Sequence, residues 1–284
     1  MPSVAAATAS PPVIHPTAMV AAGARIADGC HIGPFCMVGP DAVLEAGVDL
    51  VSHVIIEGHS HLAAGVKVMP FATIGLVPQD LKYKGEPTRV TIGARTVIRE
   101  HATVHRGSVS GAGVTVVGAD CMLMVGAHIA HDCVLGDRVL LANNVLLAGH
   151  VEIGDMVFVG GGAAVHQFVR IGQQSVIGGL SGVEADVIPY GAVMGNRARM
   201  IGLNQIGLKR RGMTHAQRHA LRSAFRMMFL GNGSVEERRA AAEAQYPDNP
   251  AVAEILAFIR APSKRGIVKV GRQVSFEDDD APDA

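Results

Sequence analysis

Residues 127–172 read AHIAHDCVLGDRVLLANNVLLAGHVEIGDMVFVGGGAAVHQFVRIG, and one aliphatic residue recurs in them every six positions: Ile129, Leu135, Leu141, Leu147, Ile153, Val159, Val165 and Ile171. A glycine often follows directly, as at Gly136, Gly154, Gly160 and Gly172. Four places on stands a small or β-branched residue, such as Val139, Val145, Ala163 or Ser175. Neither the helical period of about 3.6 nor the strand period of about 2 produces this spacing. A hexad repeat marks a parallel β-helix, in which each hexad supplies one short flat strand and one corner. Three hexads complete a triangular coil, and successive coils stack about 4.8 Å apart.

The same frame extends in both directions. It runs from Ile14 through Ile74, resumes at Ile92, Ile98 and Val104, and continues from Val117 to Val183. Residues 13–195 are therefore expected to form the repeat domain. Two interruptions mark surface loops, because a solenoid expels insertions from its coils. Residues 76–91 (LVPQDLKYKGEPTRVT) keep the frame, with Ile74 and Ile92 eighteen apart; residues 106–116 (RGSVSGAGVTV) shift it by one. Long loops on a rigid scaffold are usually functional.

The bulk composition agrees with a narrow prism. Of 284 residues, 49% are hydrophobic but only 4% aromatic, with no Trp, so small and β-branched side chains fill the interior. No stretch approaches the ~20 apolar residues of a membrane span. Residues 1–12 (MPSVAAATASPP) lack a basic region followed by a long apolar core, so they are expected to be a loose tail rather than a signal peptide, with a cytoplasmic protein as the default. Cys30, Cys36, Cys121 and Cys133 each stand four places after a repeat aliphatic and form no CxxC, so they read as small core residues.

Beyond residue 195 the hexads stop. A helix is expected from Thr214 to Gly231, with Leu221, Phe225, Met228 and Phe229 on one face. Two more follow, over 234–245 with Ser234 and Glu237 spaced as a capping box, and over 250–260. Residues 196–270 thus read as a small helical region that covers an open coil end or packs beside the solenoid, and 271–284 as an acidic disordered tail. Charge is unevenly spread: residues 1–195 hold 10 Lys+Arg against 15 Asp+Glu, whereas 196–272 hold 15 against 5. A basic segment in a neutral chain fits an acidic partner or anionic ligand, although a solvated helical face is the plainer reading.

The chemistry points to the middle of the solenoid, where His101, His105, His128, His131, His150 and His166 fall in neighbouring coils. Eighteen residues beyond His131 is Gly149, and eighteen beyond Asp132 is His150. Stacking therefore sets a histidine against a glycine and an aspartate against a histidine. Glycine leaves its backbone N–H open, as an oxyanion site requires. A neutral imidazole suits deprotonation of a hydroxyl, and Asp132 could fix its tautomer. No serine or cysteine lies in a nucleophile motif, which favours direct transfer over a covalent enzyme intermediate. Any one of these histidines reads most plainly as a solvent-facing coil residue; six beside two long loops read as a site. Histidine-ligated zinc between subunits, with His128 and His131 as ligands, is left open by the spacing.

The blocks AHIAHDCVLGD, LANNVLLAGHVEIGD, AAVHQFVRIG, IGLNQIGLKRRG, IGPFCMVGP and QDLKYKGEPT together resemble the UDP-N-acetylglucosamine O-acyltransferases of lipid A biosynthesis over roughly residues 13–265. The resemblance implies an all-β left-handed parallel β-helix of hexapeptide repeats with a small C-terminal α-helical domain, assembled as a homotrimer with sites between subunits. It implies transfer of a (R)-3-hydroxyacyl group from acyl carrier protein to the 3-hydroxyl of UDP-N-acetylglucosamine, the first step of that pathway. No metal and no cofactor are implied, since the donor arrives on the phosphopantetheine of acyl carrier protein, nor any nucleic-acid partner. His131 matches the family's general base, Asp132 its supporting carboxylate and Gly149 the oxyanion-stabilising residue. Asp80, Lys82, His128, His150 and Gln167 match positions that hold the sugar nucleotide, and Asn204 and Arg210 positions at its uridine and phosphate end. Ile206 departs from a position where the family often has Glu. Gly179 matches the residue that limits the acyl tail.

Three other readings fit the sequence less well. The related N-acyltransferases of the pathway usually carry a domain before the repeats, whereas hexads here start at Ile14. A γ-type zinc carbonic anhydrase would need neither the LKYKGEPT loop nor a basic helical region. A non-catalytic scaffold explains neither the histidines nor the loops. A glycine at 179 leaves an acyl slot open for a chain of about fourteen carbons if methylene packing sets the limit. Gly179→Met is accordingly expected to shift donor preference toward shorter acyl chains, read from rates across a donor series.

Overall fold

Backbone amides of each coil donate to the coil eighteen residues further on: His128 N to Val145 O (2.8 Å), Leu146 N to Ala163 O (2.9 Å), Ala164 N to Ser181 O (2.8 Å). Repeated on three faces, this pairing builds the parallel prism that the hexad period predicts. The computed structural model describes residues 10–271; the tails expected at either terminus lie almost wholly outside the described residues. An eleven-stranded first sheet runs from Val13–Ile14 to Arg199–Leu203, a nine-stranded second sheet from Met19–Val20 to Gly182–Val183, and an eight-stranded third sheet from Arg25–Ile26 to Arg170–Ile171. All pairings are parallel except the last, in which Gly191–Met194 meets Arg199–Leu203 antiparallel. That final hairpin carries no hexad and was not anticipated from the sequence.

The repeat aliphatics point inward and form the core. Leu123, Ile129, Leu135, Leu141 and Leu147 are completely or almost completely buried. The four cysteines are buried free thiols between them. Burial pushes the thiol of Cys121 up to about 11 and that of Cys133 up to about 12, so both remain neutral and behave as small apolar residues.

Both loops leave the prism at one edge. The first joins the second-sheet strand Thr73–Leu76 to the third-sheet strand Arg89–Ile92, and the second joins Thr103–His105 to Val114–Val117. Across the first loop the inter-coil register grows to thirty residues (Val68 opposite Ile98), and across the second to twenty-five (Ile98 opposite Leu123). The loops therefore expel twelve and seven residues (30 − 18 and 25 − 18) without disturbing the faces. A frame kept or shifted by one in sequence is thus the same structural event at two lengths.

Four helices follow: α1 (Gln205–Arg210), α2 (His215–Leu230), α3 (Val235–Gln245) and α4 (Pro250–Arg260). The expected caps are present, with complete capping boxes at Thr214/Gln217 and Ser234/Glu237. The short α1 was missed, having only Asn204 as an N-cap signal. Leu221, Phe225 and Met228 of α2 and Val252, Ile255 and Leu256 of α4 are buried in the shared core. The helices lie beside the last coils: Arg170 stacks on the Phe258 ring (4.5 Å), Gln173 donates to Glu254 (2.6 Å), and Tyr190 bonds the same carboxylate. Fully buried Asp186 accepts from the Arg170 guanidinium (2.8 Å) and from Ser263 (2.7 Å), tying the segment after α4 to the prism. At the opposite end, Ile14 of the first coil is exposed among the described residues.

Because each inward aliphatic touches the coils above and below, removing one leaves a void the flat strands cannot close. Leu141→Ala is expected to cost about 2–5 kcal/mol, measured as a lowered urea midpoint at unchanged slope.

Candidate active site

The turn Ala130–Cys133 joins the second and third sheets at the edge from which both loops emerge. There, His131 and Asp132 are buried. His131 Nδ1 lies 2.8 Å from Asp132 Oδ2. A carboxylate only accepts, so Nδ1 carries the proton and Nε2 is left as a lone-pair acceptor. Burial works to raise the Asp132 carboxyl, but hydrogen bonds from His131 and from Ser108 outweigh it and hold the group below the usual carboxylate range.

The second loop supplies those donors. Ser108 N–H donates to both Asp132 oxygens (3.1 and 3.0 Å), its hydroxyl to Oδ2 (2.7 Å), and Gly113 N–H to Oδ1 (3.2 Å). Asp132 in turn donates its backbone N–H to Thr115 Oγ1 (2.9 Å). A Cβ at Gly111 would fall 2.4 Å from the Asp132 carboxyl carbon, so only glycine lets the loop close over it. Sequence reasoning marked this loop as functional but did not single out Ser108 or Ser110.

Stacking places the remaining groups as the eighteen-residue arithmetic anticipates. His150 N–H donates to His131 O (3.0 Å), and a Cβ on Gly149 would lie 2.7 Å from His131 Cε1 and 2.8 Å from Nε2. Gly149 thus keeps the face of the imidazole open. Its amide makes no backbone hydrogen bond among the described residues, like those of His131 and Gln167, which stack on it in the neighbouring coils. The His150 ring meets His131 edge-on (5.1 Å) and stacks on Phe168 (4.5 Å). Burial lowers His150, partly opposed by Asp132. His128 pairs with Thr103 Oγ1 (2.7 Å) and is lowered by burial and then by His131. Exposed Gln167 lies on the next coil at the same edge, its carbonyl held by Arg265 (2.7 Å), while Lys264 Nζ stands 3.9 Å above the Phe168 ring. From the first loop, Asp80 accepts from Lys82 N–H (3.0 Å) and Ser110 Oγ (2.9 Å), which together hold its carboxyl below the usual range.

Not every expected residue gathers here. His101 lies at the edge between the first and second sheets, stacked on Phe71 (5.2 Å) in a ladder with His53 and Phe35. Gly179 lies on that same edge, beside Gly161 O. Asn204 and Arg210 line a cavity of about 690 Å³ at the third edge, with Arg138, Arg211, Arg222 and exposed Ile206. Asn204 is partly committed to structure: its side chain caps α1 through Gly207 N–H (3.0 Å) and donates to Gln174 O (2.8 Å). Within one chain the three parts of the expected site thus occupy three different edges.

The zinc alternative named His128 and His131. The atoms that do converge are one each from His131, Asp132 and His150, within 4.8 Å of one another. Asp132 already accepts from His131, Ser108 and Gly113, so its donor set suits a hydrogen-bonded dyad better than an ion. No helix of the described residues is long and apolar enough to cross a membrane.

A three-faced hexad prism with a histidine–carboxylate pair under an edge loop defines a hexapeptide-repeat transferase, and residues 114–149 match the model of bacterial transferase hexapeptide repeats. Residues 186–268 match the second domain of UDP-N-acetylglucosamine O-acyltransferases. A curated acyl-[acyl-carrier-protein]–UDP-N-acetylglucosamine O-acyltransferase of Caulobacter vibrioides is 50% identical over 261 residues, 92% of this chain and 99% of that protein. Its counterpart in Rhizobium johnstonii is 46% identical over 89% of this chain and 93% of that one. The solved UDP-N-acetylglucosamine O-acyltransferase of Moraxella catarrhalis superposes with a TM-score of 0.87 at 42% identity, covering 90% of this chain and 99% of that one. The chain belongs to the UDP-N-acetylglucosamine O-acyltransferase family, and its prism is a left-handed β-helix.

One titration follows from the site's burial. His105 is buried behind His128 (rings 4.9 Å apart), with no hydrogen-bond partner for Nδ1 among the described residues. Burial first, then the charges of His128 and His131, depress it to about 4. Its folded value lies below the ordinary one of about 6.5, so the unfolded chain binds the proton more readily. Stability present above about pH 6.5 is therefore lost as pH falls toward about 4, by up to roughly 3 kcal/mol. His105→Gln is expected to flatten this acid loss, measured as the difference between urea midpoints at about pH 7 and about pH 4.5.

Proposed function

We propose that this protein transfers a (R)-3-hydroxyacyl group from acyl carrier protein to the 3-hydroxyl of UDP-N-acetylglucosamine, in lipid A synthesis, with His131 as general base. The observation that carries the mechanism is the orientation of one ring: Nδ1 faces Asp132 and Nε2 faces the open Gly149 position. In this reading Nε2 takes the proton of the sugar hydroxyl while its oxygen attacks the thioester carbonyl. Asp132 stabilises the imidazolium without itself being protonated. Negative charge on the tetrahedral intermediate is met by the Gly149 amide, which has no competing backbone partner among the described residues. Collapse breaks the C–S bond, and the imidazolium returns its proton to the departing thiolate. Asp80, His128, His150 and Gln167 stand around His131 at this edge and, with Lys82 beside Asp80, are assigned to the sugar.

The distribution of the other groups supports a homotrimer. A nucleotide diphosphate suits the arginine-lined cavity, since guanidinium groups match phosphate geometry. That cavity and the Gly179 edge each lie on a different edge of the prism from His131, and in this reading a second copy completes the site. Packing three prisms about an axis sets each catalytic edge against a neighbour's other edges. The arginine excess of residues 196–272 then suits docking of an acidic carrier protein.

Purified protein is expected to form the O3-acylated sugar nucleotide from 3-hydroxymyristoyl carrier protein at a rate unchanged by EDTA. His131→Ala should lower that rate at least about 10²–10⁴-fold while the oligomer stays intact by light scattering. A near-normal rate in the variant would sink the general-base assignment, and EDTA-sensitive activity with bound zinc would overturn the metal-free one.

A further inference from the structure

Asp80 and Asp132 are joined by a chain of two hydroxyls. Ser108 is completely buried, and its hydroxyl proton is committed to Asp132 Oδ2 at 2.7 Å. Ser108 Oγ can therefore only accept from its other neighbour, Ser110 Oγ, at 2.8 Å. Ser110 Oγ is also 2.9 Å from Asp80 Oδ2, and Asp80 can only accept as well. Ser110 owns one proton and faces two acceptors, one on the sugar side of the site and one on the dyad side. The proton cannot satisfy both at full strength.

We propose that Ser110 is a positioning residue that couples occupancy of Asp80 to the His131–Asp132 dyad, by turning its single hydroxyl proton from Asp80 to Ser108 when a substrate hydroxyl takes its place on Asp80. This rests on the reading of His131 as general base and Asp80 as a sugar ligand. A Ser108 hydroxyl that accepts a hydrogen bond becomes a stronger donor to Asp132, because hydrogen bonds in a chain polarise one another. A better-solvated Asp132 holds an imidazolium less tightly, so His131 sheds its proton more easily as the substrate arrives. The second loop thereby links the first loop to the reacting centre. Val109 and Ser110 are exposed at its tip, so the hydroxyl can rotate without disturbing the core.

The charged and titratable groups facing His131 fix the sign of the test. They are Asp132 from its own turn, His150 from the next coil, His128 and His105 from the second sheet, and Asp80 from the first loop, with Lys264 acting from beyond His150. Removing the Ser110 hydroxyl leaves both Asp80 and Asp132 less neutralised, and both changes favour the imidazolium. In Ser110→Ala the acid limb of kcat/KM, where the base must lose its proton, is expected to move up by about half a pH unit or more. Below that limb kcat/KM should fall about threefold or more, while the thermal midpoint stays that of the wild type. Ser110→Thr, which keeps the hydroxyl, should restore the limb.

The experiment measures kcat/KM against pH for the full-length enzyme, Ser110→Ala, Ser110→Thr and His131→Ala, with acyl carrier protein donor and UDP-N-acetylglucosamine. A shifted limb in the alanine variant and a restored one in the threonine variant support the coupling. An unmoved limb in Ser110→Ala, with His131→Ala inactive, overturns the coupling and leaves the general-base reading standing. Near-normal activity in His131→Ala removes the base itself, and the proposed coupling falls with it.

Discussion

Parallel backbone pairing at an offset of eighteen residues is the interaction on which everything else in this molecule rests. It stacks each residue on its counterpart in the next coil, so a position in the hexad becomes a position in space. Inward positions demand aliphatic side chains of one size range, as Leu135, Leu141 and Leu147 illustrate. Edge positions are free of that demand, since a turn residue points away from the core, toward its stacked neighbours, solvent or an inserted loop. The same hydrogen-bond ladder that makes the core monotonous therefore leaves the edges open to chemistry.

Chemistry is concentrated on one edge because both insertions leave from it. A loop that departs between the second and third sheets must return to the third sheet beside the turns that carry His131 and His150. The second loop folds back on Asp132, and the first is held to the second by Ser110 and by Arg106 stacking on Tyr83 (5.5 Å). The outcome is a buried carboxylate surrounded by N–H and O–H donors in an otherwise apolar scaffold. Such a group stays ionised only because those donors replace water.

The helical region serves the same edge from the far side. Asp186 and Glu254 fasten the segment around α4 to the last coils, and that segment carries Arg265 to Gln167 and Lys264 over Phe168. The arginines near α1 gather instead at another edge, where Arg211 donates to Met156 O (2.7 Å) and Arg210 and Arg222 line the cavity. The cationic groups of the helical region thus stand on two separate edges of the prism.

The sequence by itself determined the architecture, because a period of six aliphatics admits one way of burying them. It also determined that Gly149 stacks on His131 and that His150 stacks on Asp132, since adding eighteen to a number is enough once the coil is known. The helix caps at Thr214 and Ser234 were equally legible, being local hydrogen bonds between residues three apart. The sequence did not determine which histidines share an edge: His101 matches the hexad frame as well as His131 does, yet it stands on a different corner. Nor did it reveal Ser108 and Ser110, because their partners are 24 and 30 residues away and reach them through loop conformations that carry no period. Only the tertiary structure decided those contacts. Repeats fix what hydrogen-bonded stacking repeats, while a loop's path depends on the particular side chains it meets.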